Sequence, residues 1–152
     1  MIVYRICQAK HQALDGEGAR RWGGRWNPPD WPVVYTAENL ALAVLEFRVN
    51  TPTLPDALST YIFLELEVNL PQAPRAIERT QLPANWALES NRLSTQTIGL
   101  NWLRTGNELA LRVPTAVLPR EYNLLLNPQH PDFTQRVRIV AQEAFRPDGR
   151  LY

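Results

Sequence analysis

The chain has 152 residues, 45% of them hydrophobic and 20% charged, which is the balance of a folded domain and excludes a disordered tail or a fibre. Sixteen basic against fifteen acidic residues leave a net charge of +1, which excludes strong long-range attraction to nucleic acid or to an anionic membrane, so any anion must be recognised locally. The longest uninterrupted apolar run, residues 40–45, is far short of the ~20 residues of a membrane span.

Residues 2–7 alternate apolar and polar positions and predict a strand instead of a secretory leader, so a soluble cytoplasmic protein is expected. An irregular glycine-rich loop follows. Residues 33–36 predict a second strand, and Thr36 is expected to cap a helix over 38–49 that Pro52 closes. Residues 60–68 alternate cleanly, with Ile62, Leu64, Leu66 and Val68 on one face and Tyr61, Phe63, Glu65 and Glu67 on the other. Glu65 and Glu67 are expected on a solvated edge. Three prolines in 71–83 predict a surface connection, and a second helix is expected from Ser94 or Thr95 to Thr105, stopped by Gly106. Short strands are predicted at 109–113, 116–118, 123–126 and 136–144. Strands before and after two helices, without regular alternation, predict one α+β domain spanning 1–152 with a mixed or mostly antiparallel sheet.

Cys7 reads as a buried strand residue, and with only His11 and His130 beside it in composition no zinc cluster is expected. Fifteen of the sixteen bases are arginine, so planar, two-pronged recognition of phosphate or carboxylate has many candidates. Four of the seven glycines (Gly16, Gly18, Gly23 and Gly24) lie within nine residues, beside Arg20, Arg21, Arg25, Trp22 and Trp26. Such a loop either brings backbone N–H groups and arginine forks onto a phosphate-bearing ligand, or is simply a tight turn. Glu46 has no base one helical turn away, its neighbours being Leu42, Ala43, Val49 and Asn50. It must therefore find a tertiary partner, face water or serve a ligand. Asn127 and His130 either close a pocket or cap a turn.

Leu14-Asp15-Gly16-Glu17-Gly18-Ala19, Gly23-Gly24-Arg25-Trp26-Asn27, Val33-Val34-Tyr35-Thr36-Ala37-Glu38 and Ala41-Leu42-Ala43-Val44-Leu45-Glu46, followed by Val113-Pro114-Thr115-Ala116-Val117 and the block from Asn123 to Phe133, resemble the RES-domain family. That family contains the toxins of bacterial RES–Xre toxin–antitoxin pairs. The resemblance implies a fold like that of ADP-ribosyltransferases and an enzyme that breaks the nicotinamide–ribose bond of NAD. Phosphate or water would be the acceptor; transfer of ADP-ribose to a protein, or a catalytically weak antitoxin-binding domain, are the alternatives. It further implies Arg25, Tyr35 and Glu46 as catalytic residues. Contacts to NAD are expected from Arg25, Tyr35, Trp26, Asn27 and Thr115, the last standing where the family's Val-Pro-Ser-Ala block has serine. NAD is then substrate and inorganic phosphate a possible co-substrate, with no metal. An Xre-like antitoxin is the implied partner, with a homodimer of this chain inside the complex.

Overall fold

The structure is a computed structural model that describes residues 1–52 and 60–151. Its centre is a seven-stranded sheet in the order β4-β5-β6-β2-β1-β3-β7. The strands are β1 (Ile2–Gln8), β2 (Val34–Ala37), β3 (Tyr61–Val68), β4 (Arg75–Ala76), β5 (Ala110–Pro114), β6 (Tyr122–Leu126) and β7 (Val137–Ala144). Every neighbouring pair is antiparallel except β4 with β5. The helices are α1 (Glu17–Trp22), α2 (Leu40–Asn50), α3 (Arg92–Thr105) and the single turn α4 (Phe133–Arg136). The α+β expectation therefore holds, and among the described residues no helix is long and apolar enough to cross a membrane.

β3 keeps the predicted period of two, with Leu64, Leu66 and Val68 fully buried. The three leucines of β6 show the other pattern: Leu124 and Leu126 join one hydrophobic cluster while Leu125 joins a second. A strand buried on both faces has no reason to alternate, so it reads as a continuous apolar run. The first cluster, with Val3, Val34, Leu64 and Leu66, fills one face of the sheet. The second gathers Trp26, Trp86 and Trp102 around Leu111 and Val113 on the other.

β1 and β2 meet through the pair Tyr4 and Ala37, whereas β1 and β3 are paired from Ile2 to Gln8. The sheet thus parts between β1 and β2. α2 covers this seam, packing Leu42 and Ala43 against Ala37, Tyr4 and Ile6.

Several local expectations are corrected. Thr36 does not cap α2: its hydroxyl donates to the Leu124 carbonyl of β6 at 2.7 Å. Asn39 takes the cap position, accepting from the Leu42 amide at 2.8 Å. The supposedly irregular glycine-rich stretch contains α1, bounded by Gly16 at φ 68° and Gly23 at φ 71°. Residues 116–118 form no strand, because Thr115 turns the chain by accepting the Val117 amide with its own hydroxyl. The connection over 71–83 contributes the short parallel strand β4. Glu65 and Glu67 lie on no sheet edge, since β7 pairs outside β3 and Arg138 of β7 meets Glu67 at 2.5 Å. Gly106 does stop α3, at φ 63°.

Candidate active site at the seam between β1 and β2

A cavity of about 700 Å³ opens where the two strands part. Its walls come from β1 (Tyr4, Arg5, Ile6), β2 (Tyr35, Thr36, Ala37), α1 and the loop after it (Gly18 to Trp26), α2 (Glu46, Phe47, Asn50) and the turn Thr115 to Val117. That size is within the range of small-molecule and cofactor sites.

Glu46 has found its tertiary partners. The Thr115 hydroxyl donates to Glu46 Oε1 at 2.5 Å and the Asn123 side-chain amide donates to the same oxygen at 2.8 Å. The Val117 amide donates to Thr115 Oγ1 at 3.1 Å, which leaves the hydroxyl proton directed to the carboxylate. Both protein donors therefore fall on Oε1, and Oε2 has no protein partner among the described residues. Asn123 makes the same point from its other end. Its amino group must face the carboxylate, and its buried Oδ1 is left without a hydrogen bond among the described residues. An orphaned buried acceptor costs about 1–3 kcal/mol, the kind of local deficit that accumulates at functional sites.

Tyr35 lines the cavity with its ring while its hydroxyl is committed to the loop, donating to Asn27 Oδ1 at 2.7 Å and accepting the Trp26 amide at 3.0 Å. Burial pushes this phenol well above its usual value, so the hydroxyl stays protonated and serves as a structural bolt. Gly24 is required here, because a Cβ would lie 2.3 Å from the Tyr35 hydroxyl.

Arg25 reaches the cavity with its side chain 19% exposed, bound to the Trp86 carbonyl at 3.1 Å and to Glu89 at 3.2 Å. The remaining expected ligand contacts are distributed differently. Trp26 borders the cavity, but its ring is buried in the core 6.2 Å from that of Trp86. Asn27 lies behind the wall, its amide bonded to the carbonyls of Ala19, Pro28 and Trp31 and to the Tyr35 hydroxyl. Thr115 spends its hydroxyl on Glu46. Arg20 and Arg21 turn away to Glu17, whose carboxyl their hydrogen bonds hold down at about 2. Asn127 and His130 serve the turn, accepting the amides of Gln129 and Asp132. Cys7 is buried, which pushes its thiol up, and among the described residues no cluster of His, Cys, Asp and Glu can hold a metal ion.

Sequence reasoning placed α3 but missed that its first turns hold the loop. Thr95 donates to the Arg25 carbonyl at 2.6 Å, Gln96 to the Gly24 carbonyl at 2.9 Å and Arg92 to the same carbonyl at 3.2 Å. Gly99 lets the Trp26 carbonyl approach so closely that a Cβ would sit 1.7 Å from it. Arg92, Thr95, Gln96 and Gly99 follow the i, i+3, i+4, i+7 spacing of one helix face, so a polar stripe on α3 was the available signal. Trp22, 82% exposed at the cavity rim, was named only as a member of the loop and Asn123 only as the start of a family block, without a role in the site for either.

A carboxylate presented by one oxygen, three arginines and a half-buried tyrosine on one cavity, on a sheet that parts at its middle, agree with the resemblance drawn from the blocks. The family described as the RES domain matches residues 2–148. The chain belongs to the RES-domain family. It is 33% identical over 153 residues to the protein named Toxin Res of Photorhabdus laumondii, covering 99% of this chain and 97% of that one. It is 35% identical over 125 residues to the Prs ADP-ribosylating toxin of a Sphingobium species, covering 78% of this chain and 74% of that one. A shorter match, 50% identical over 44 residues, covers 28% of this RES domain and 24% of the NAD(+) phosphorylase MbcT of Mycobacterium tuberculosis. The same mycobacterial toxin gives the structural likeness: its crystal structure with the antitoxin MbcA superposes with a TM-score of 0.79 at 23% identity, over 95% of this chain and 83% of that one. The RES domain described here therefore shares its fold with that toxin.

Proposed function

We propose that this RES-domain protein is the toxin of a toxin–antitoxin pair and that it consumes NAD by breaking the bond between nicotinamide and ribose. The observation that carries the reading is the Glu46 carboxylate on the cavity wall, held through Oε1 and offering Oε2. Relatives named as an NAD(+) phosphorylase and as an ADP-ribosylating toxin share the reacting bond.

In this mechanism Glu46 Oε2 accepts a hydrogen bond from a ribose hydroxyl and stabilises the positive charge that grows on the ribose as nicotinamide departs. The C–N electron pair leaves with nicotinamide, which becomes a neutral ring and needs no general acid. A phosphate oxygen then forms the new C–O bond, giving ADP-ribose 1″-phosphate and one proton; with water the product is ADP-ribose. Tyr35 offers its ring face to the ligand, and Thr115 and Asn123 hold the carboxylate. Arg25 neutralises phosphate charge, which a chain of net charge +1 has to do locally. The partner in this reading is an antitoxin, which the presence of MbcA beside the structural relative supports; its Xre-like kind, two copies of this chain in the complex and action on the cytoplasmic NAD pool come from the family resemblance.

The test is NAD consumption by the purified, antitoxin-free chain with and without inorganic phosphate, beside Glu46→Gln, with products separated by chromatography. Phosphate-dependent loss of NAD that vanishes in the variant is expected. NAD labelled in its adenylate half discriminates the second reading, suggested by the ADP-ribosylating relative, since label retained on protein would mark transfer. No loss of NAD and no labelled protein would leave only antitoxin binding.

A further inference from the structure

Arg25 and Arg92 share one carboxylate. Arg25 Nη2 donates to Glu89 Oε2 at 3.2 Å, and Arg92 Nη1 donates to Glu89 Oε1 at 2.7 Å. Each guanidinium is separately anchored on a main-chain carbonyl, Arg25 on Trp86 at 3.1 Å and Arg92 on Gly24 at 3.2 Å. The anchors are firm: Trp86 is buried in the core, and Gly24 sits in a turn closed by its amide on the Asn27 carbonyl at 2.8 Å. Glu89 is the loose member. It sits in a single 3-10 turn (Glu89–Asn91) with its side chain 68% exposed, against 19% for Arg25 and 39% for Arg92.

All three side chains border the cavity. Two carboxylate oxygens on one carbon, divided between two guanidinium groups, reproduce the arrangement that two oxygens on one phosphorus would adopt. A solvent-exposed carboxylate binds such a pair weakly, because water and salt screen it and its own side chain loses freedom. A phosphate group carries more charge, brings further acceptor oxygens and requires no side-chain ordering, so it competes well for the same donors.

We propose that Arg25 and Arg92 together form a phosphate subsite of the cavity and that Glu89 is an internal surrogate anion, which a phosphoryl group displaces on binding. The inference deepens the proposed NAD reading and rests on it only for the identity of the natural ligand. The same chemistry fits the diphosphate of a dinucleotide or a free phosphate co-substrate. Two probes separate them: ADP-ribose, which carries the diphosphate and no cleavable nicotinamide, and inorganic phosphate.

The experiment is calorimetric titration of each probe into the wild-type chain, Glu89→Gln and Arg92→Gln, with circular dichroism and thermal unfolding to verify the fold of each variant. Glu89→Gln removes the competing charge and keeps the side-chain volume, so at least one probe binds severalfold tighter. Arg92→Gln binds that probe at least tenfold more weakly. The response of ADP-ribose alone assigns the subsite to the diphosphate, and that of inorganic phosphate alone to the co-substrate. Folded variants that bind both probes like wild type, a Glu89→Gln chain that binds more weakly, or no binding of either probe to any of the three would overturn the proposal. Cleavage of NAD by the wild type is scored separately. Normal cleavage with unresponsive binding refutes the surrogate anion alone, and the expected binding pattern without cleavage refutes the NAD reading alone.

Discussion

Replacing Thr115 by valine tests whether Glu46 works because it is held. The substitution preserves the shape of a side chain that is 1% exposed while deleting its hydroxyl. Two bonds disappear: the donation to Glu46 Oε1 at 2.5 Å and the acceptance of the Val117 amide at 3.1 Å. A hydrogen bond to a charged group contributes about 1.5–3 kcal/mol. With Asn123 as the remaining protein donor, and the loss expressed wholly in the transition state, that range corresponds to roughly a ten- to 150-fold fall in kcat. The orphaned Val117 amide adds a stability loss of about 1–3 kcal/mol. Thr115→Ser is the discriminating control. It keeps both bonds and gives up one methyl group, so its kcat stays close to wild type and its stability falls by about 0.8 kcal/mol. NAD turnover at saturating substrate, measured beside urea unfolding, reads both quantities. A folded valine variant with wild-type kcat, or a serine variant as impaired as the valine one, would refute the holding role.

Gly99→Ala places a Cβ 1.7 Å from the Trp26 carbonyl, which is main chain and cannot swing aside, whereas Gly24→Ala meets the Tyr35 hydroxyl at 2.3 Å. Gly24→Ala is expected to cost about 1–3 kcal/mol in chemical denaturation and Gly99→Ala more, and equal stabilities would contradict the packing of α3 on the loop. Tyr35→Phe strands Asn27 Oδ1 and the Trp26 amide, so it loses about 1–3 kcal/mol of stability. Because the loss acts through the bolt and spares the ring, kcat falls less in Tyr35→Phe than in Tyr35→Ala. Burial raises the Tyr35 phenol above its ordinary value of 10.0, so the unfolded chain releases that proton first. Its contribution to stability is complete below pH 10 and is lost as pH rises through the higher folded value, and a pH series of thermal unfolding should show a smaller alkaline loss in Tyr35→Phe than in wild type. At the acid end, Arg20 and Arg21 hold the Glu17 carboxyl down at about 2, so this contact is complete above its ordinary 4.5 and is lost as pH falls through about 2. Carboxyl titration followed by NMR in wild type and in Arg20→Gln reads it, with the Glu17 midpoint rising in the variant.

The elements that follow a single period were legible in the sequence. β3 alternates because one of its faces is buried throughout, and α2 is an apolar run ended near a proline, so both were placed nearly to their ends. Elements decided by competition between side chains were not. Thr36 and Asn39 are both able to cap α2, and the choice went to Asn39 because Thr36 finds the Leu124 carbonyl across the sheet. Thr115 lies after a predicted strand, yet its hydroxyl closes a turn where another strand was expected over 116–118. α1 is only six residues long, and its ends depend on two positive-φ glycines, a conformation that periodicity does not report.

The candidate site divides in the same way. Sequence alone determined that Glu46 lacks a helical partner, that glycine and arginine concentrate before β2, and, through the ordered blocks, which family the chain joins, because each of these is a matter of residue type and local spacing. Only the tertiary structure decided which oxygen of Glu46 takes the Thr115 and Asn123 donors, that Asn27 and Trp26 support the wall, and that Arg92 joins Arg25 around Glu89. The bonds behind those outcomes span from three to 77 residues of sequence, and most of them join elements that local spacing cannot bring together.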